Sequence, residues 1–186
     1  MTLFKGASVQ RSYFLCLTVL LASMVVSQPG QADTPVLPIS APATTALSNE
    51  AAPIDAVTRE WIATVTSGNP TVVEDVLALY AEDAILLATV SEQIRDTKDE
   101  LRDYFKFFTA LPNLSAKDYI PTIRVYDDVA INSGYYTFMF KSEPGAVVEV
   151  PARYTFVYRK INGKWMIVEH HSSGIPTAPA GLPAAN

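Results

Sequence analysis

The chain has 186 residues, 49% of them hydrophobic and 18% charged, with 14 basic against 19 acidic side chains and a formal net charge of −5. That acidity excludes the basic face on which nucleic-acid binders rely, and a single cysteine, Cys16, excludes a disulfide framework or a thiolate metal site. What remains is one domain around one core.

Lys5 and Arg11 precede an uncharged apolar run over residues 13–26, which gives way to SQPGQA. The run is too short to span a bilayer. Gly30 and Ala32 stand at the small-residue positions of an A-x-A-like site, so residues 1–32 read as a signal peptide cleaved before Asp33. The residues before Cys16 lack the small side chains of a lipoprotein signal. The expected product is exported, periplasmic or secreted, with no membrane attachment after cleavage. Loss of Lys5 and Arg11 leaves 12 basic residues against 19 acidic, a net charge of −7.

Residues 33–52 carry Pro35, Pro38 and Pro42 among small side chains without a sustained period, and read as a disordered linker. The tail, residues 177–186, has the same texture. Residues 53–176 are then the domain.

Ile54, Val57, Trp61, Ile62 and Val65 recur at helical spacing, and Gly68 is a stop. Asn69 and Pro70 predict the cap and first residue of a second helix, with Val73, Val76, Leu77 and Tyr80 as its apolar stripe. AILLAT, residues 84–89, predicts a short strand. Thr97 and Glu100 have capping-box spacing ahead of Leu101, Tyr104, Phe105 and Phe108, which predicts a third helix.

From Asp118 onward the pattern is β: residues 119–126, 130–140, 147–159 and 165–173, parted by turns at Asp127-Asp128, Glu143-Pro144-Gly145 and Asn162-Gly163. Asn-Gly between apolar runs is the strongest hairpin signal of the three. Helices followed by a long meander give an α+β domain whose sheet buries one face under the helices. Strands this long curl, Gly134 suits a bulge or bend, and a curled sheet under helices encloses a pocket.

The only histidines, His170 and His171, are adjacent in the last strand. Strand alternation sends one to the enclosed side and one to the other surface, and a one-residue bulge would exchange them. Either they are satisfied by hydrogen bonds or a subunit contact, or one binds ligand. Glu169 and His171 share a face but find no third ligand, so no metal is expected. Arg95, Arg124 and Arg153 lie in apolar context. Each pairs with an acid such as Asp83 or Glu149, or else aims its planar fork at a carboxylate in the pocket. Trp61 and Tyr136 are either core or pocket wall. Asp83 is either turn chemistry or a base. Nucleophilic catalysis lacks a Gly-x-Ser-x-Gly elbow, and eight glycines form no phosphate cradle or dinucleotide fingerprint, so no cofactor is expected.

RYTFVYRKINGKWMIVEHHSSGIP, with QIRDT and SGYYTF, resembles the association domain of calcium/calmodulin-dependent protein kinase II and its stand-alone bacterial relatives of the SgcJ/EcaC type. The resemblance covers residues 54–176 and is most specific from Gly163-Lys164-Trp165 into His171, Ser173, Gly174 and Pro176. It implies the cone-like nuclear transport factor 2 fold and a self-associating homo-oligomer with a pocket for a small anionic molecule. Arg95, Arg153, Tyr136 and the histidine pair match recurring positions. The kinase modules place arginine where this chain has Tyr136 and Phe156, and no kinase loop is present. The expected pocket is thus Arg95, Arg153, Tyr136, Trp61 and His171. The alternative is a cofactor-independent isomerase, cyclase or hydrolase of the SnoaL or ketosteroid-isomerase type, with His170, His171 or Asp83 as general base.

Overall fold

The computed structural model describes residues 49–143, 145–176 and 181. The expected signal peptide, nearly all of the linker and most of the tail lie outside the described residues.

Helix α1, Ala51–Val65, buries Ile54, Trp61 and Val65 of the predicted stripe and also Thr58, with Val57 and Ile62 partly buried, and Gly68 follows it at a φ of +66°. Helix α2 is shorter than predicted, Val72–Leu77, and its N-cap is Thr71 rather than Asn69. Tyr80 therefore opens strand β1, Tyr80–Leu87, instead of closing the helical stripe. The spacing of three from Leu77 to Tyr80 suits a helix, but the helix ends at Leu77 and the Tyr80 ring is buried in the core from the strand. Strand β2 is the short, unpredicted pair Ile94–Arg95. Helix α3, Lys98–Thr109, has the full capping box between Thr97 and Glu100 and buries Leu101, Tyr104, Phe105 and Phe108.

The meander forms as predicted with longer strands: β3 Ser115–Tyr126, β4 Val129–Lys141, β5 Val147–Ile161 and β6 Lys164–Gly174. Asn162 and Gly163 both take positive φ, 50° and 81°, as a two-residue hairpin turn that follows strand twist requires. The sheet order is β2-β1-β6-β5-β4-β3. Only β1 and β6 are parallel, which seats a strand from the helical half of the chain beside the last one, with Leu86 opposite His170. This is the α+β sheet with helices on one face. Ile54, Trp61, Val76 and Phe105 meet Tyr154, Phe156, Tyr158 and Ile167 in one core.

Two bulges set which side chains enter that core. In β3 the register slips between Lys117 and Ile120, with Asp118 at a φ of 57°. Gly134 lies opposite, where a Cβ would stand 1.9 Å from the Ile120 carbonyl oxygen; the bend anticipated at Gly134 is thus carried by its partner strand. In β6 the register skips Val168, since Glu169 pairs with Val157 while Ile167 pairs with Tyr158. Ile167 and His170 would fall on opposite faces of a regular strand. With the extra residue both face the helices, 1% and 3% exposed.

Gly134→Ala forces carbonyl and methyl together in a packed sheet and should destabilise the fold by about 3 kcal/mol or more, read as a fall in the urea midpoint. Gly174→Ala, where a Cβ meets nothing, should stay within about 0.5 kcal/mol of the parent.

Candidate functional site

His170 is the only titratable imidazole in the core. Its ring stacks on Phe156 with centroids 3.9 Å apart and meets the edge of Trp61 at 4.9 Å. Both nitrogens are used: Nδ1 lies 2.9 Å from the Tyr80 hydroxyl and Nε2 3.3 Å from the Tyr136 hydroxyl.

The proton positions follow from one donor-only group. The Trp61 indole N–H donates to the Tyr80 oxygen at 3.1 Å, and an indole cannot accept. Tyr80 must then send its own hydrogen to its other partner, Nδ1 of His170. A neutral imidazole with Nδ1 accepting carries its hydrogen on Nε2, which donates to Tyr136. Tyr136 donates in turn to Ser172 Oγ at 2.8 Å, and Ser172 meets Thr89 Oγ1. One directed chain thereby joins α1, β1, β6, β4 and the segment after β1.

The imidazole is neutral at ordinary pH, because burial, with a smaller contribution from the charge of His171, pushes its pKa down to about 3. Burial raises the phenols of Tyr80 and Tyr136. A second buried knot sits beside this chain: the Asn132 amide donates to Thr58 Oγ1 and the Tyr119 hydroxyl at 2.8 and 3.0 Å and accepts from Tyr154 at 3.2 Å. The Asn132 amide uses both its oxygen and its nitrogen here, and the knot holds α1 to the sheet.

The chain of hydroxyls borders a cavity of about 100 Å³ between α3 and the sheet. Trp61, Tyr136, Phe138, Phe108, Leu111 and Val150 supply most of its walls, and His170, Ser172 and Thr89 its polar side. No charged side chain lines it. Val90 and Phe107, 53% and 55% exposed, stand at its edge.

The five residues expected in one pocket are divided. Trp61 and Tyr136 border the cavity. His171 is on the opposite, exposed face of the sheet beside Arg153, in a groove that also contains Arg124, Tyr135 and Thr155. His170, not His171, is the inward histidine, and the skipped Val168 is the reason. Arg95 reaches neither place: it donates to the Glu100 carbonyl at 3.1 Å and Ser91 Oγ at 3.3 Å, with its guanidinium 5.5 Å over the Tyr104 ring. Asp83 is exposed and pairs with Arg159 at 3.5 Å, away from the cavity. Among the described residues no group of three or more His, Cys, Asp or Glu side chains is placed to hold a metal ion. Ser172, Thr89 and Tyr80 are the site residues the sequence did not single out. Period 2 links Ser172 to His170 once His170 is known to face inward, whereas nothing local marks Thr89 or Tyr80.

Helices packed on one face of a six-stranded, mostly antiparallel sheet, with an apolar cavity between, define an α+β module. The model of the calcium/calmodulin dependent protein kinase II association domain matches residues 50–176, and the chain belongs to that family. A bacterial association-domain protein from Xanthomonas campestris is 36% identical, with 73% of this chain and 95% of that one covered and a TM-score of 0.65. Two further structures share the fold at 18% identity: a nuclear transport factor 2-like superfamily protein from Salmonella enterica, with 70% and 94% coverage and a TM-score of 0.57, and a ketosteroid isomerase-like protein from Erwinia carotovora atroseptica, with 70% and 100% coverage and a TM-score of 0.57. The fold is thus nuclear transport factor 2-like. No curated protein matches the chain.

A folded-state imidazole pKa near 3, against an ordinary 6.5, means that the unfolded chain binds the extra proton between these values. Stability should therefore fall as pH drops below about 6.5, by at most about 1.4 kcal/mol per pH unit from this group. His170→Gln, which keeps a donor and an acceptor, should lose this part of the slope in melts run from pH 7 to 5, while the carboxylate contribution common to both proteins remains. Identical slopes would contradict the assignment.

Proposed function

We propose that this protein is an exported association module: copies join through the sheet face the helices leave uncovered, and each copy holds a small molecule in the cavity on the helix side without transforming it. The observation that carries the self-association is one cross-strand row on the uncovered face. Strand register aligns Arg124 with Ile131, Ile131 with Val157, Val157 with Glu169, and Glu169 with Ile85. Neither Arg124 nor Glu169 makes an ion pair among the described residues. Two such rows related by a two-fold axis bring the aliphatic centres together and set each arginine toward the partner's glutamate, which is the self-complementarity an isologous contact needs. Membership in an association-domain family supports the same reading. Arg153 and His171 lie on this face too, so the anionic ligand expected from the resemblance would meet the Arg153 guanidinium here rather than a cation in the cavity.

Against catalysis in the cavity stands its one base. An imidazole held neutral down to about pH 3, with Nδ1 occupied by Tyr80, is a weak proton acceptor, and Asp83 has no access. The isomerase-like neighbour, at 18% identity, shares only the fold.

Light scattering on the purified protein should give the mass of a dimer or larger assembly at micromolar concentration. Val157→Glu should weaken assembly by about 30-fold or more while its circular dichroism and melting stay near those of the parent. A native monomer at tens of micromolar would sink the proposal.

A further inference from the structure

We infer that the helix-side cavity takes a compact uncharged molecule that presents a hydrogen-bond acceptor, a ketone or similar carbonyl, to the Ser172–Thr89 hydroxyl pair. This rests on the reading that the cavity binds a small molecule and specifies its chemical class.

The buried chain holds more hydrogens than acceptors. Trp61, Tyr80, His170, Tyr136, Ser172 and Thr89 each bring one N–H or O–H, and five hydrogen bonds link them. The indole fixes every assignment as far as Tyr136, whose hydrogen goes to Ser172. Ser172 and Thr89 then hold two hydrogens for the single contact between them. Whichever of them donates to the other, one hydroxyl hydrogen has no acceptor among the described residues. Both side chains line the cavity. Ser172 is buried and Thr89 half-buried at the cavity's edge; on the dry side of that pair an unmet donor is costly, and a carbonyl oxygen on a bound molecule meets it.

The remaining walls define the rest of the class. They are overwhelmingly carbon, and no cation is present to offset a carboxylate, whose burial without a partner is strongly unfavourable. Since a cavity of about 150 Å³ accommodates the six heavy atoms of benzene, a volume of about 100 Å³ suits about four, and a fifth fits where the cavity opens at its edge. The exposed apolar pair at the edge, Val90 and Phe107, lets such a molecule enter without crossing a charged rim.

The test uses the purified full chain with 2-butanone and propionate, which are of similar size and differ in charge. The ketone should give nuclear Overhauser contacts to the Tyr136 and Phe138 rings, and carbon-13 labelled ketone should show its bound carbonyl stretch displaced to the hydrogen-bonded position. Propionate should bind there at least about tenfold more weakly. A bound carbonyl absorbing as it does in alkane solution would overturn the inference. Propionate that displaces the ketone at equal concentration would overturn the class while leaving a ligand-binding cavity. Absence of cavity contacts for both probes would overturn the class and the small-molecule reading together.

Discussion

The Trp61 indole can only donate, and its hydrogen ends on Tyr80. That constraint runs through the interior: it makes Tyr80 a donor to His170, sets the imidazole tautomer, turns Tyr136 toward Ser172 and leaves the unused hydrogen at the cavity. The same contacts fasten the fold. Trp61 comes from α1, Tyr80 from β1, Tyr136 from β4, and His170 and Ser172 from β6, so ordering these hydroxyls is inseparable from docking the helix on the sheet. A polar chain in a carbon-rich interior is favourable only when its members are satisfied, and here every member is, as far as the last pair.

The placement of His170 depends on Val168. Without the extra residue in β6, Ile167 and His170 could not both face inward, and His171 would sit against Trp61 with His170 outside. The bulge thus assigns the histidines to different surroundings: one neutral and stacked on Phe156, the other exposed beside Arg153. It also separates the polar groups on the two faces of the sheet. The helix side holds hydroxyls and a neutral ring, while Arg124, Arg153, His171 and Glu169 are on the face free to meet another copy.

Much of this was legible in the sequence where the cause is local. The capping box at Thr97 and Glu100, the stripe of α1 and the Asn162-Gly163 turn involve neighbouring residues, and each forms as its spacing predicts. The start of β1 was not legible, because Leu77 and Tyr80 are three apart and fit a helix until the long-range bonds of Tyr80 are known. Nor was the inward histidine, since a bulge leaves no mark in residues 165–173 that alternation could detect. The arginines misled for a related reason: apolar neighbours along a strand do not say which face the guanidinium occupies, and Arg153 is on the outer one. Tyr136 and Trp61 were legible as pocket or core, and they are both.

The direction of the hydrogen-bond chain is read most directly by nitrogen-15 NMR of the His170 imidazole. That direction requires a neutral ring down to pH 5, with the proton on Nε2 and Nδ1 resonating as a hydrogen-bonded acceptor. A ring that carries its proton on Nδ1, or that becomes imidazolium near pH 6, would contradict the indole-imposed direction and, with it, the free donor at the cavity.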